Sequence, residues 1–180
     1  MNKKKKQMKI MLIVLVIVAV AIAGIVIYQK QQSAKESAAE QEKVLAEINV
    51  EDVTAFSYYL DGEQLSFTKQ DDTWVYDNDT SLSIDTDKVE SMLENAATVS
   101  YSAIVEDPEE LSSYGLDSPS NVIVISTADD TYTFTIGDTN SITSELYMMF
   151  GSDTTVYTMS TDLTDAFSKS VDDLLEDASE

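Results

Sequence analysis

The chain is 180 residues long, with 33 acidic residues against 11 lysines, no histidine, no cysteine and a net charge of −22. That composition excludes a disulfide, a Cys/His zinc site and a Cys–His dyad. Residues 1–43 carry a net +5 and residues 44–180 a net −27, and so acidic a domain repels the phosphate backbone, which excludes nucleic acid as a partner.

Lys3, Lys4, Lys5, Lys6 and Lys9 make residues 1–9 a basic tail, and residues 10–28 follow without a charge. Nineteen helical residues cover ~28 Å, close to the hydrocarbon thickness of a bilayer. The pattern predicts a single transmembrane helix, contacting lipid, with Tyr28 at the far interface. The lysines hold the N-terminus in the cytoplasm, so the expected location is the cell membrane with an extracytoplasmic C-terminal domain. A cleaved signal peptide is the rival, but its apolar core usually runs only about 7–15 residues. Residues 29–48 are mostly Gln, Lys, Glu and Ala without Gly or Pro, which predicts a helical stalk ending on Val44, Leu45 and Ile48.

Residues 49–180 read as one acidic domain. From Val53 the apolar period becomes two: Phe56, Tyr58 and Leu60 lead into an Asp61-Gly62 hairpin turn, and Leu65 and Phe67 return. Thr73-Trp74-Val75-Tyr76 is a third strand, with Leu82 and Ile84 marking a short fourth. Asp87 and Glu90 predict a helix start, with Val89, Met92, Leu93 and Ala96 on one face. Val99, Tyr101, Ala103 and Val105 alternate again, and Val122-Ile123-Val124-Ile125 is apolar on both faces, as in a central strand covered on both sides. Tyr132, Phe134 and Ile136 continue the alternation, followed by strands at 146–150 and 155–159. A last helix carries Leu163, Ala166, Phe167 and Val171.

Candidate motifs are few. Ser66-Phe67-Thr68-Lys69 matches a Ser-x-x-Lys pattern, yet alternation along a strand sends Ser66 and Lys69 to opposite faces. A calcium loop counted from Asp77 fails, because Leu82 and Lys88 stand where Gly and Glu are needed. The distinctive segment is Tyr114-Gly115-Leu116-Asp117-Ser118-Pro119, preceded by Pro108-Glu109-Glu110-Leu111. It describes a short helix with proline near its start and a Schellman stop at Gly115. Trp74 anchors its strand, so Trp74, Tyr114, Gly115, Leu116, Asp117 and Pro119 form a structural motif rather than a catalytic, cofactor or metal site.

Taken together these residues resemble the bacterial domain-of-unknown-function family 4340 over residues 56–175. The likeness rests on Trp74-Val75-Tyr76, the helix at 89–93, Val105-Glu106-Asp107-Pro108-Glu109, Tyr114-Gly115-Leu116-Asp117 and Pro119. It continues through Ile136-Gly137-Asp138 and Val156-Tyr157, with Asp129-Asp130 where the family often has Asp-Gly. The resemblance implies a membrane-tethered extracytoplasmic domain, in some bacteria encoded near ABC-transporter or gliding-type components. It implies no catalytic residue.

The expected fold is therefore α+β: antiparallel strands with two or three helices, an internal duplication, and a transmembrane helix and stalk in front. The expected function is a non-enzymatic, membrane-anchored accessory or scaffold module of an envelope or ABC-transporter complex, without a cofactor. An extracytoplasmic ligand-sensing module for a cation, peptide or envelope polymer is the alternative.

Overall fold

A computed structural model describes residues 43–177. The basic tail, the expected transmembrane helix at 10–28 and most of the stalk lie outside the described residues. Among the described residues no helix is long and apolar enough to cross a membrane.

The fold is β-rich, which corrects the α+β expectation. Among the described residues ten strands form two antiparallel sheets, of two and eight strands, against two short α-helices. The large sheet contains β2 (Val53–Leu60), β3 (Glu63–Gln70), β4 (Thr73–Tyr76), β6 (Ala103–Ile104), β7 (Asn121–Thr127), β8 (Thr131–Thr139), β9 (Leu146–Phe150) and β10 (Tyr157–Met159). Their order is β4-β3-β2-β7-β8-β9-β10-β6. The three-stranded meander β4-β3-β2 thus joins the four-stranded meander β7–β10 through the β2–β7 ladder. The two halves differ in strand number, and their helices differ in length, so a duplicated α+β unit does not describe the molecule.

The end of the expected stalk is also corrected. Val44–Glu47 is a strand, β1, paired antiparallel with β5 (Thr98–Ser100). The alternation through Val99, Tyr101, Ala103 and Val105 does not make one strand. It divides between β5 in the small sheet and β6 on the edge of the large one. Ile84 makes only an isolated bridge to Leu175 instead of a fourth strand.

The first helix, α1 (Thr86–Glu94), is capped by Asp85, whose side chain accepts from the Lys88 amide; Asp87 lies inside the first turn. The second, α2 (Asp162–Ala166), stops after five residues. A 3-10 turn, Asp172–Leu174, follows it. Both helices cover one face of the large sheet. Phe56, Tyr58, Phe67, Trp74, Ile123, Ile125, Phe134 and Met148 are all buried there, in one cluster with Val89, Met92 and Leu93 of α1 and Leu163, Phe167 and Leu174.

Turn chemistry fixes the register. Asp61 and Gly62 both take positive φ, 53° and 84°, as a two-residue hairpin with right-handed strand twist requires. Asp71 and Asp72 do the same between β3 and β4 without a glycine.

The segment before β7 forms a 3-10 helix, Leu111–Tyr114, so the expected helix begins after Pro108 rather than at it. Gly115 closes it at φ 69°. Leu116 N–H donates to Leu111 O at 3.0 Å, and Gly115 N–H to Ser112 O at 3.3 Å. Those are the two bonds of a Schellman stop. The stop presses on a bulge in β8. A β-carbon on Gly115 would lie 2.6 Å from the Asp138 carboxyl carbon, and one on Gly137 would collide with the Tyr114 carbonyl.

These contacts generate a graded prediction. Gly151 has φ 63° with open space beside it, so Gly151→Ala should cost only the left-handed penalty, about 1–2 kcal/mol. Gly115→Ala adds a steric collision and should lose at least about 1 kcal/mol more. Denaturant midpoints of the two variants check this, and equal losses would remove the close approach at Asp138 from the account.

Candidate functional site

The chain after α2 is positioned by aromatic packing. The Phe167 ring meets Tyr58 edge-on at 5.4 Å and Phe56 at 6.1 Å. Two residues later the Tyr58 hydroxyl donates to the Lys169 carbonyl at 2.6 Å. The Ser170 amide and hydroxyl both donate to the Asp173 carboxylate, at 2.8 and 2.7 Å, which winds the 3-10 turn. The end of the segment is then stitched to the start of α1. Asp85 N–H donates to Leu174 O at 2.8 Å, Glu176 N–H to Ser83 O at 3.0 Å, and Lys88 Nζ to Leu175 O at 2.8 Å.

Between these two elements runs an open groove of about 520 Å³. One wall is the face of α1 carrying Asp87, Lys88, Ser91 and Asn95; the other carries Lys169 and Asp173. Met92, Ala166 and Leu174 supply its apolar lining.

The groove's charges are fixed by its own hydrogen bonds. The Ser170 hydroxyl and amide hold the Asp173 carboxyl below the usual carboxylate range, assisted by the Lys169 and Lys88 charges. Burial pushes the Tyr58 phenol up, and the Asp173 charge adds to the rise. Both groups therefore stay in one protonation state around neutrality, with Asp173 ionised and Tyr58 neutral.

Two of the three lysines beyond residue 43 line this groove. Lys88 is engaged by Leu175 O and by Asp177 at 3.0 Å. The third, Lys69, lies 3.7 Å from Glu90 and 5.8 Å from the centre of the Trp74 ring. The Lys169 ammonium has neither an ion pair nor a hydrogen bond among the described residues. Mixed charge beside an apolar lining suits binding of a small polar molecule. No group of three or more acidic side chains is arranged to hold a metal ion among the described residues.

The motif residues from the sequence lie elsewhere and do not form one site. Trp74 is 2% exposed on β4, edge-on to Phe56 at 5.0 Å, with its Nε1 buried and unpaired among the described residues. Tyr114 meets the Tyr147 ring at 4.9 Å and accepts from the Glu109 amide, and Leu116 is buried against Gly137. Asp117 and Pro119 are exposed. β4 and β8 are four strand positions apart, about 19 Å at the usual spacing of ~4.8 Å. The segment 114–119 is a structural clasp on β8.

The other face of the large sheet is partly buried over β2, β3, β7 and β8. It presents Ala55, Ser57, Tyr59, Gln64, Ser66, Thr68, Val122, Val124, Ser126, Thr131, Thr133 and Thr135. None of these twelve is charged, although 24% of the chain is. Val122 and Val124, expected to be covered on both sides of a central strand, are only partly buried here, whereas Ile123 and Ile125 are fully buried. A shallow depression of about 200 Å³ lies among Ala55, Ser57, Ser66, Val124 and Ser126, with Asp77 at its margin.

Tyr58→Phe tests the groove's construction. Leaving the Lys169 carbonyl without its donor should cost about 1–2 kcal/mol and speed amide exchange in residues 169–175. A pH dependence accompanies it. Because the folded phenol holds its proton more tightly than the unfolded one, the folded state loses stability as pH rises above about 10. Denaturant midpoints between pH 8 and 11 should fall less steeply for Tyr58→Phe than for the parent chain.

No curated protein and no solved structure matches this chain. One family model does, over residues 74–179, from the tryptophan strand through the clasp at Gly115 to the C-terminal wall of the groove. The match begins at Trp74, where the sequence likeness suggested a start at Phe56, and it spans more than half of the chain; the protein belongs to the family described as Domain of unknown function (DUF4340).

Proposed function

We propose that the protein is a non-enzymatic accessory or scaffold module of an envelope or transporter complex. In this reading residues 10–28 hold it in the cell membrane, with its N-terminus in the cytoplasm and its β-rich domain outside. The observation that carries the contact role is the uncharged, half-apolar sheet face around Val124 on a domain whose other surfaces are crowded with carboxylates. A central strand that alternates Val and Ile on both sides is normally covered on both sides. Here Val122 and Val124 are only partly buried, while Ile123 and Ile125 are fully buried.

The chemistry of the partner follows from the rim of that face. The turns at one end of the sheet carry Asp71, Asp72, Asp129, Asp130 and Asp153, with Asp52 beside them. A complementary protein surface has a neutral centre of aliphatic and hydroxyl groups and basic residues around it, and its association slows as salt screens the rim.

A photo-crosslinking side chain at Ser66 of the full-length chain in its native membrane tests the contact, with one at Asp165 on the far side as control. A stoichiometric protein adduct is expected from Ser66 alone, reduced in high salt and abolished by Ser57→Lys with Val124→Lys. Replacing residues 1–30 with an unrelated anchor should leave the adduct intact. If the adduct disappears on that exchange, contact runs through the anchor; if none forms from any position on the face, the accessory role is wrong.

A further inference from the structure

We infer that the groove between α1 and residues 166–174 binds a short peptide through its free α-amino and α-carboxyl groups. This goes beyond the accessory role, which depends on the opposite face of the sheet, so either can fail alone.

Three features lead to that ligand. Lys169 lines the groove with its ammonium uncommitted among the described residues, in a domain of thirty acids and three lysines. The Asp173 carboxylate nearby accepts from Ser170 through Oδ2 and makes no ion pair within 4 Å of the ammonium, which can therefore meet an incoming carboxylate. Across the groove Asp87 and the Ser91 hydroxyl also make no hydrogen bond among the described residues, and offer a carboxylate and a hydroxyl to an incoming ammonium.

Net charge decides against a simple anion. A surface at −27 repels free anions before they reach one lysine, whereas a molecule of no net charge approaches freely and still presents a carboxylate to it. Small apolar side chains of the same molecule would rest on Ala166, above the buried Met92 and Leu174. A volume of about 520 Å³ falls within the ~300–1,000 Å³ of small-ligand clefts.

Calorimetric titration of the full-length protein with tri-alanine tests this. Saturable binding is expected, weakened at least tenfold by amidating the peptide's carboxyl, by acetylating its amine, or by Lys169→Met in the protein. Lys169 is exposed, so the variant should keep the parent's thermal midpoint. Asp87→Asn should weaken tri-alanine but not the acetylated peptide. Absence of saturable binding by tri-alanine overturns the proposal. Undiminished binding by Lys169→Met or by the amide overturns it too, as does equally tight binding of acetate.

Discussion

The rings of Phe56, Tyr58, Phe67 and Phe167 form the contact on which the rest of the molecule turns. Phe56 and Phe67 stack at 4.8 Å across the β2–β3 ladder, which fixes the register of the first hairpin from the inside. Phe167 closes on Phe56 and Tyr58 from α2, and so brings the C-terminal segment onto strands more than a hundred residues earlier. Truncating a ring of this kind in a core costs about 3–5 kcal/mol. Here it would also release the wall of the groove, since the Tyr58 hydroxyl is what seats Lys169.

Charge is handled by position rather than by pairing. Only three lysine–carboxylate contacts within 4 Å occur among the described residues, and all involve Lys69 or Lys88. Several acids instead accept local hydrogen bonds in turns: Asp79 from Ser81, Asp153 from Thr155, Asp173 from Ser170. Such carboxylates tighten loops while adding to the repulsion between neighbouring turns. Salt should therefore raise stability by weakening the repulsion more than it weakens the few ion pairs.

Much of the strand pattern was legible because it is local. Asp61-Gly62 and the alternation around it specify a hairpin, and Gly115 with Leu116 specifies a helix stop, from a few neighbouring residues each. What was not legible depends on distant partners. Val44–Glu47 follows a run of helix formers and becomes a strand only because Thr98–Ser100 is there to pair with it. The last helix ends early because Ser170 bonds Asp173 and Tyr58 bonds Lys169, which compete with helical continuation. Those losses of helix turned an expected α+β domain into a β-rich one. The groove was invisible for the same reason. Lys88 and Lys169 meet only in three dimensions, though finding two of three lysines of an acidic domain on predicted helical segments was a usable signal.

The sheet's edges carry a further consequence. One edge is β4, four residues long, and the other is β6, only two. Strands that short leave almost no row of free amides and carbonyls for a foreign strand to extend. Recruitment by strand addition, and polymerisation of the sheet from one molecule to the next, are therefore disfavoured by geometry. A domain so terminated can sit at high density on a surface beside copies of itself without its β-structure propagating among them.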